Sequence, residues 1–231
     1  MKEHFRSIRT PAILYVLCII GLFSSISNAQ AKTSRSSFDS ALPIWPTGRE
    51  TEKNLFVGFR AVFKCSEQQD PILRIAASSI YRVYLNGRFI GHGPARGPHG
   101  YYRMDEWSLG NFLRERNVLA IEVAGYNVNS FYLLDEPAFL QAEIASDGII
   151  LASTAGKGTS FEATTLKHRL QKVQRYSFQR PFIEYYRMNE GNDQWWYEPL
   201  TESAKVSCST LARRNLLIRR VAYPHFLKRQ P

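Results

Sequence analysis

The chain has 231 residues, of which 44% are apolar and 13% aromatic, and it carries a formal charge of +10. This length suffices for one sizeable domain or two small ones, and the aromatic content excludes wholesale disorder. A single long apolar run and three cysteines exclude a multi-span membrane protein and a disulfide-stapled miniprotein.

Residues 1–29 have the three-part pattern of a secretory signal. Lys2, Arg6 and Arg9 form a basic start, Ala12 to Phe23 form the apolar core, and Ser27 and Ala29 precede a cut before Gln30. An apolar helix of that length spans about 18 Å, short of the roughly 30 Å of a hydrocarbon core. Cleaved export is therefore expected rather than an anchor, leaving no membrane span and an address in the periplasm or outside the cell. Leu17 is too large to precede a lipid-modified Cys18. Residues 30–42 are polar and Ser-rich and read as a flexible leader.

From residue 43 the apolar pattern has period two. Leu55 to Phe63 alternates two faces, and Ile72 to Ala77 and Ile80 to Asn86 are rich in β-branched and aromatic residues. Asn86-Gly87 between apolar-alternating arms predicts a type I′ hairpin. Gly91 to Gly100 holds four Gly and two Pro, which predicts a loop. A strand follows from Tyr101 to Trp107, then one or two helical turns over Leu109 to Arg116, then a strand from Val118 to Asn127. Phe139 to Ala145 and Gly148 to Thr154 read as a hairpin across Ser146-Asp147. Lys172 to Met188 interleaves apolar and basic residues, and Pro181 divides it into an arm and a strand. Short strands with turn signals every eight to twelve residues predict an all-β, antiparallel β-sandwich over residues 43–190, with one short helix at most.

Residues 191–231 read as a basic tail or linker. Seven basic side chains and no acid lie between residues 203 and 231, whereas the stretch between the two basic ends is nearly neutral. A nucleic-acid domain would carry its basic patch on the folded body, so nucleic acid is not an expected partner. After cleavage two cysteines remain, Cys65 and Cys208. Nothing fixes their proximity, so both are read as free thiols, and without a CxxC or Cys/His cluster a zinc site has no support.

The runs IYRVYLNGRFIGHGPARGPHGYYRMDEWSLGNFL and NVLAIEVAGYNVNSFYLLDEPAFLQAEI, followed by QKVQRYSFQRPFIEYYRM and LLIRRVAYPHF, resemble the N-terminal region of bacterial α-L-rhamnosidases. The similarity runs from about Trp45 to Phe226. AGYNVNSFYLL and RYSFQRPF are its more specific parts, since the strand–NG–strand order is shared by jelly-roll modules of many glycosidases. Arg116 departs from the pattern, standing where such modules usually carry Gly. The resemblance implies a jelly-roll, galactose-binding-like sandwich. Enzymes of the family are several times longer and hold their acid and base carboxylates on a downstream α/α-barrel, to which no position here corresponds. The chain is therefore expected to be an N-terminal fragment, a truncated reading frame or a shortened paralogue, without activity of its own.

A glycosidase needs two carboxylates about 5–9.5 Å apart across a cleft. Asp105-Glu106 and Asp135-Glu136 are adjacent acids that a strand would point to opposite faces. With Glu184, they read as solvated or turn acids. His92 and His99 flank GPARGP without a Ser/Asp partner for a triad, and GHGPARG lacks the Lys of a phosphate loop.

Sugars are held by aromatic faces and a few planar polar groups. That mixture is offered by Tyr101, Tyr102, Trp107, Tyr126, Asn127, Asn129 and Tyr132 beside Arg96 and Asp105. The same aromatics would also serve as core or interdomain packing. Arg175, Arg180 and Tyr186 suit an interface with a neighbouring domain. The resemblance implies that sandwich modules of some relatives use calcium for rhamnose, but no acidic cluster here demands it, so no cofactor is expected. Two functional readings follow. One is an exported module assisting recognition of rhamnose-containing glycans or supporting a downstream catalytic domain. The other is a free-standing secreted lectin-like protein, and a remnant that never folds stably is a weaker third.

Overall fold

The computed structural model describes residues 37–66 and 68–224, so the expected signal segment, residues 30–36 of the expected leader and residues 225–231 of the expected tail lie outside it. In chain order the strands are β1 (Ile44–Pro46), β2 (Leu55–Lys64), β3 (Ile72–Ser78), β4 (Ile80–Leu85), β5 (Arg88–Gly93), β6 (Tyr101–Ser108) and β7 (Arg116–Gly125). They are followed by β8 (Phe139–Ser146), β9 (Ile149–Ser153), β10 (Thr159–Ser160), β11 (Glu162–Thr165), β12 (Cys208–Thr210) and β13 (Asn215–Ile218). One sheet has the order β10-β9-β8-β3-β6-β13, with β1 joining β8 to β12; the other has the order β11-β2-β7-β4-β5. All pairs are antiparallel except β10 with β9 and β13 with β6. The result is the expected β-sandwich. Helix is confined to three single 3₁₀ turns among the described residues, the first at Gly110–Phe112 in place of the longer stretch predicted over Leu109 to Arg116.

Period-two patterning explains the core. Leu55, Val57, Phe59, Ala61 and Phe63 of β2 point inward to meet Leu73 and Ile75 of β3 and Leu140, Ala142 and Ile144 of β8. Trp45 tilts onto Phe59 with ring centroids 5.8 Å apart. Each such Val, Leu, Ile or Phe side chain contributes about 1.5–3 kcal/mol by leaving water. Asn86 and Gly87 take φ of 52° and 77° and close the β4–β5 hairpin as predicted. In the β8–β9 hairpin the positive-φ pair is Asp147-Gly148, one residue later than expected, because Gly148 tolerates the left-handed conformation that Ser146 would resist.

The alternate face of β2 and β7 carries a second apolar layer. Phe56, Ala120, Ala124 and Tyr126 pack under Leu166, Phe182, Trp195 and Leu200, so residues 166–200 cover the outside of the second sheet. At Gly58 an added Cβ would lie 2.8 Å from the Trp195 ring, so the indole packs where only glycine leaves room.

Three expectations are corrected. Residues 37–42 of the leader are held in place: the buried Glu143 carboxylate accepts the backbone N–H groups of Asp39, Ser40 and Ala41 at 2.9–3.1 Å. The stretch 172–188 forms no strand. It folds as an irregular arm with isolated bridges Arg169↔Tyr186 and Arg175↔Phe182, since Pro181 cannot donate to a regular ladder.

The third correction concerns the basic tail. Cys208–Thr210 pairs with β1, and Asn215–Ile218 runs parallel to β6. Two of its arginines are used internally: Arg214 lies 5.0 Å from the Phe139 ring centre, and Arg219 reaches the Asp105 carboxylate at 3.3 Å. Cys65 and Cys208 are free thiols, and burial pushes Cys208 up to about 11.

Candidate functional site

At one end of the sandwich the loop 94–100 after β5 and the loop 126–138 after β7 border a depression of about 420 Å³. The sequence sets both loops. Gly and Pro interrupt the first, and in the second the Ser130 hydroxyl accepts the backbone N–H groups of Tyr132 and Leu133 to form a tight turn. Arg96, Tyr101, Tyr102 and Tyr132 line this depression, as do Arg103, Phe131, Glu136 and His92. Tyr101 is 46% exposed and Phe131 72% exposed, so aromatic surface is open to solvent there.

The polar groups are fixed by hydrogen bonds. The Arg96 guanidinium lies 5.7 Å from the centre of the Tyr132 ring. Arg103 donates from Nε to the Arg96 carbonyl at 3.1 Å and from Nη1 to the Ile218 carbonyl at 2.9 Å. Glu136 accepts the Gly100 N–H at 2.9 Å and has His99 Nε2 at 3.6 Å. Burial, with Glu136 as hydrogen-bond partner, pushes the Tyr102 hydroxyl above the usual phenol range, and its ring packs edge-on against Phe139 at 4.7 Å. His92 is held below the ordinary imidazole range by burial and by Arg82 and Arg219.

Five of the nine sugar-binding candidates lie elsewhere. Asp105 and Trp107 point into the sandwich, where Tyr81 donates its hydroxyl to Asp105 and Trp107 donates Nε1 to the Tyr81 oxygen at 3.0 Å. Burial raises the Asp105 carboxyl despite Tyr81 and Arg219. Asn127, at φ 46°, uses its amide to hold the Glu50 and Glu52 carbonyls at 2.7 and 2.9 Å. Asn129 caps the loop by accepting the Asp135 N–H at 2.9 Å. Tyr126 belongs to a second depression of about 530 Å³, lined by Tyr132, Tyr176, Arg180, Phe182 and Glu184 among others.

Beneath that second depression lies a ring of four charges that alternation alone does not reveal. Buried Glu122 accepts from Arg82 at 2.9 Å and Arg169 at 3.0 Å, and Glu184 meets the same two guanidinium groups at 3.0 and 3.2 Å. Burial would raise the Glu184 carboxyl, but Arg82, Arg169 and the Tyr126 hydroxyl hold it below the usual carboxylate range. The only sequence signal for this ring is Glu122 within the apolar run of β7.

The interface candidates are partly engaged by the chain itself. Arg175 donates to the carbonyls of Asn129, Phe178 and Arg180 at 2.6–2.8 Å, tying the arm to the loop. Tyr186 packs on His168 and lies 4.7 Å under Arg169. Arg180 faces the second depression. Among the candidate acids Glu106 pairs with Arg74 at 3.2 Å, beside Asp39 and Glu143 on the same guanidinium, while Asp135 is exposed. Among the described residues no group of three or more His, Cys, Asp or Glu could hold a metal ion. None of the described helices is long and apolar enough to cross a membrane.

No protein-family model and no curated protein sequence matches the chain. Solved structures share its fold. A GH78 rhamnosidase of Bacillus sp. GL1 superposes with a TM-score of 0.71 at 24% identity, over 82% of this chain and 20% of that one. The α-L-rhamnosidase of Aspergillus terreus gives 0.54 at 14% identity over 76% and 22%, and that of Dictyoglumus thermophilum gives 0.53 at 15% identity over 80% and 22%. The chain thus has the fold of a part of these α-L-rhamnosidases, and spans about one fifth of their length.

Proposed function

We propose that this chain is a non-catalytic β-sandwich module of an exported α-L-rhamnosidase-like glycoside hydrolase, and that it assists recognition of rhamnose-containing glycans. The observation that carries this reading is the depression between loops 94–100 and 126–138. It combines exposed aromatic side chains at Tyr101 and Phe131, beside the half-buried Tyr132, with planar polar groups at Arg96, Arg103 and Glu136. A 6-deoxysugar presents an apolar face with a methyl group and a polar edge of hydroxyls. Aromatic stacking suits the first, and guanidinium and carboxylate groups suit the second. The shared fold with α-L-rhamnosidases supports a place beside a catalytic domain, and the signal pattern of residues 1–29 supports export. Of the carboxylates singled out in the sequence, Asp105, Glu106 and Glu184 are engaged by Arg and Glu136 by a backbone N–H.

Calorimetric titration of the protein with L-rhamnose and rhamnosylated oligosaccharides tests the reading, with thermal unfolding recorded in the same buffer. Saturable binding that Tyr101→Ala and Tyr132→Ala weaken about tenfold each, without lowering Tm by more than a few degrees, is the expected result. A cooperatively folded protein that binds none of these sugars overturns it.

A further inference from the structure

A third depression, of a different kind, lies on the outer face of the first sheet. It measures about 380 Å³ and is lined by residues 37–42, Gln141 of β8 and residues 213–216. It shares no lining residue with the depression between loops 94–100 and 126–138. Alternation along β8 puts Phe139 and Gln141 on this face. The Arg214 guanidinium stands 5.0 Å from the Phe139 ring centre and 6.0 Å from that of Tyr102. Two aromatic rings thus hold a half-buried cation in place before any ligand arrives. Arg213 beside it is exposed. Among the described residues, neither arginine has a carboxylate within ion-pair distance. The acid in the wall, Asp39, is held by Arg74 at 2.9 Å. The floor is polar as well. Gln141, 6% exposed, donates Nε2 to the Ala41 carbonyl at 2.8 Å, while its Oε1 and the Arg214 Nε have no partner. Such a floor disfavours an apolar occupant.

We propose that this depression binds the phosphoryl group of free phosphate or of a small phosphomonoester, with Arg213 and Arg214 as guanidinium donors and Ser40 as a hydroxyl donor. Two guanidinium groups without a protein carboxylate call for about two negative charges. A carboxylate brings one, whereas a phosphoryl group brings about 1.5–2 at pH 7 and three acceptor oxygens. The Ser40 oxygen accepts the Lys157 N–H at 2.6 Å and keeps its own proton to donate. The volume is larger than a lone oxyanion fills and leaves space for an attached ring. This site uses other residues than the sugar-binding reading and does not depend on it.

Calorimetric titration in phosphate-free buffer tests the proposal, with inorganic phosphate, glucose 1-phosphate, glucuronate and glucose as ligands. The tighter of the two phosphate ligands is expected to bind at least about tenfold more strongly than glucuronate or glucose, and which of the two it is identifies the ion or its ester as the ligand. Arg214→Gln is expected to weaken that ligand at least about tenfold, because it removes a fork already fixed on an aromatic ring. Arg213→Gln, at an exposed position, should cost about threefold and carries the test if Arg214→Gln fails to fold. If L-rhamnose binds the wild type, both variants should leave its affinity within about twofold. Glucuronate binding as tightly as the phosphate ligands, no saturation by either phosphate ligand below about 10 mM, or wild-type phosphate affinity in both variants would each overturn the proposal and leave the sugar-binding reading untouched.

Discussion

Arg219 holds its guanidinium 3.3 Å from the Asp105 carboxylate, which has no exposure to solvent. The pair joins residues 114 apart in sequence and lies beside Tyr223, whose ring packs on Trp107 at 4.5 Å. Replacing Arg219 with Met leaves a buried acid without its cation. Breaking such a pair from one side costs about 3–5 kcal/mol. Urea unfolding should show that loss, whereas Arg220→Met, at an exposed neighbour, should change stability by less than about 0.5 kcal/mol.

Glu143 organises the approach to β1. With Asp39, Ser40 and Ala41 donating to its carboxylate and Arg74 2.9 Å away, Glu143→Ala should free this segment. Hydrogen exchange at residues 39–41 is expected to rise at least about tenfold, since three charge-assisted bonds vanish together. Unchanged protection there would show that other contacts hold the segment.

The Glu184 carboxyl is depressed in the folded chain. A depressed acid binds fewer protons folded than unfolded. Its stabilisation is therefore present above the ordinary glutamate pKa of about 4.3 and is lost as pH falls through the lower folded value. Thermal unfolding from pH 7 to pH 3 should show a steeper acid-side fall in Tm for the wild type than for Glu184→Gln. Parallel curves would remove Glu184 from the account.

At Gly58 the outer layer depends on an absent side chain. Gly58→Val would drive methyl groups into Trp195, whose ring already lies 2.8 Å from an ideal Cβ. Overpacking of this kind costs about 1–3 kcal/mol. Displacement of the indole should red-shift tryptophan emission while the strand content by circular dichroism stays unchanged.

These residues also show what the sequence makes legible. Alternation in β2, β3 and β7 and the Asn86-Gly87 turn are local signals, and the strands formed where they pointed. The tail was opaque because β12 and β13 are only three and four residues long, too short for a period to rise above the surrounding arginines. Of the site, Arg96 and Tyr132 are legible as planar groups on loops, and Tyr101 and Tyr102 as aromatics at the start of a strand. Asp105 and Trp107 have the same composition but point inward, since their strand positions share a face with core residues. Glu136 and Arg103 are not marked as sugar-binding candidates by any motif, because only the approach of loop 126–138 to β6 puts them on one depression.

The parallel pairing of β13 with β6 has a consequence for biosynthesis. β6 emerges from the ribosome more than a hundred residues before the strand and the Arg219–Tyr223 segment that cover its Asp105 and Trp107. Until then a buried-type acid and an indole remain wet, and the nascent sandwich presents an unpaired edge. Final closure is thus a late, non-local event. During the interval that open edge is exposed to edge-to-edge association with other chains.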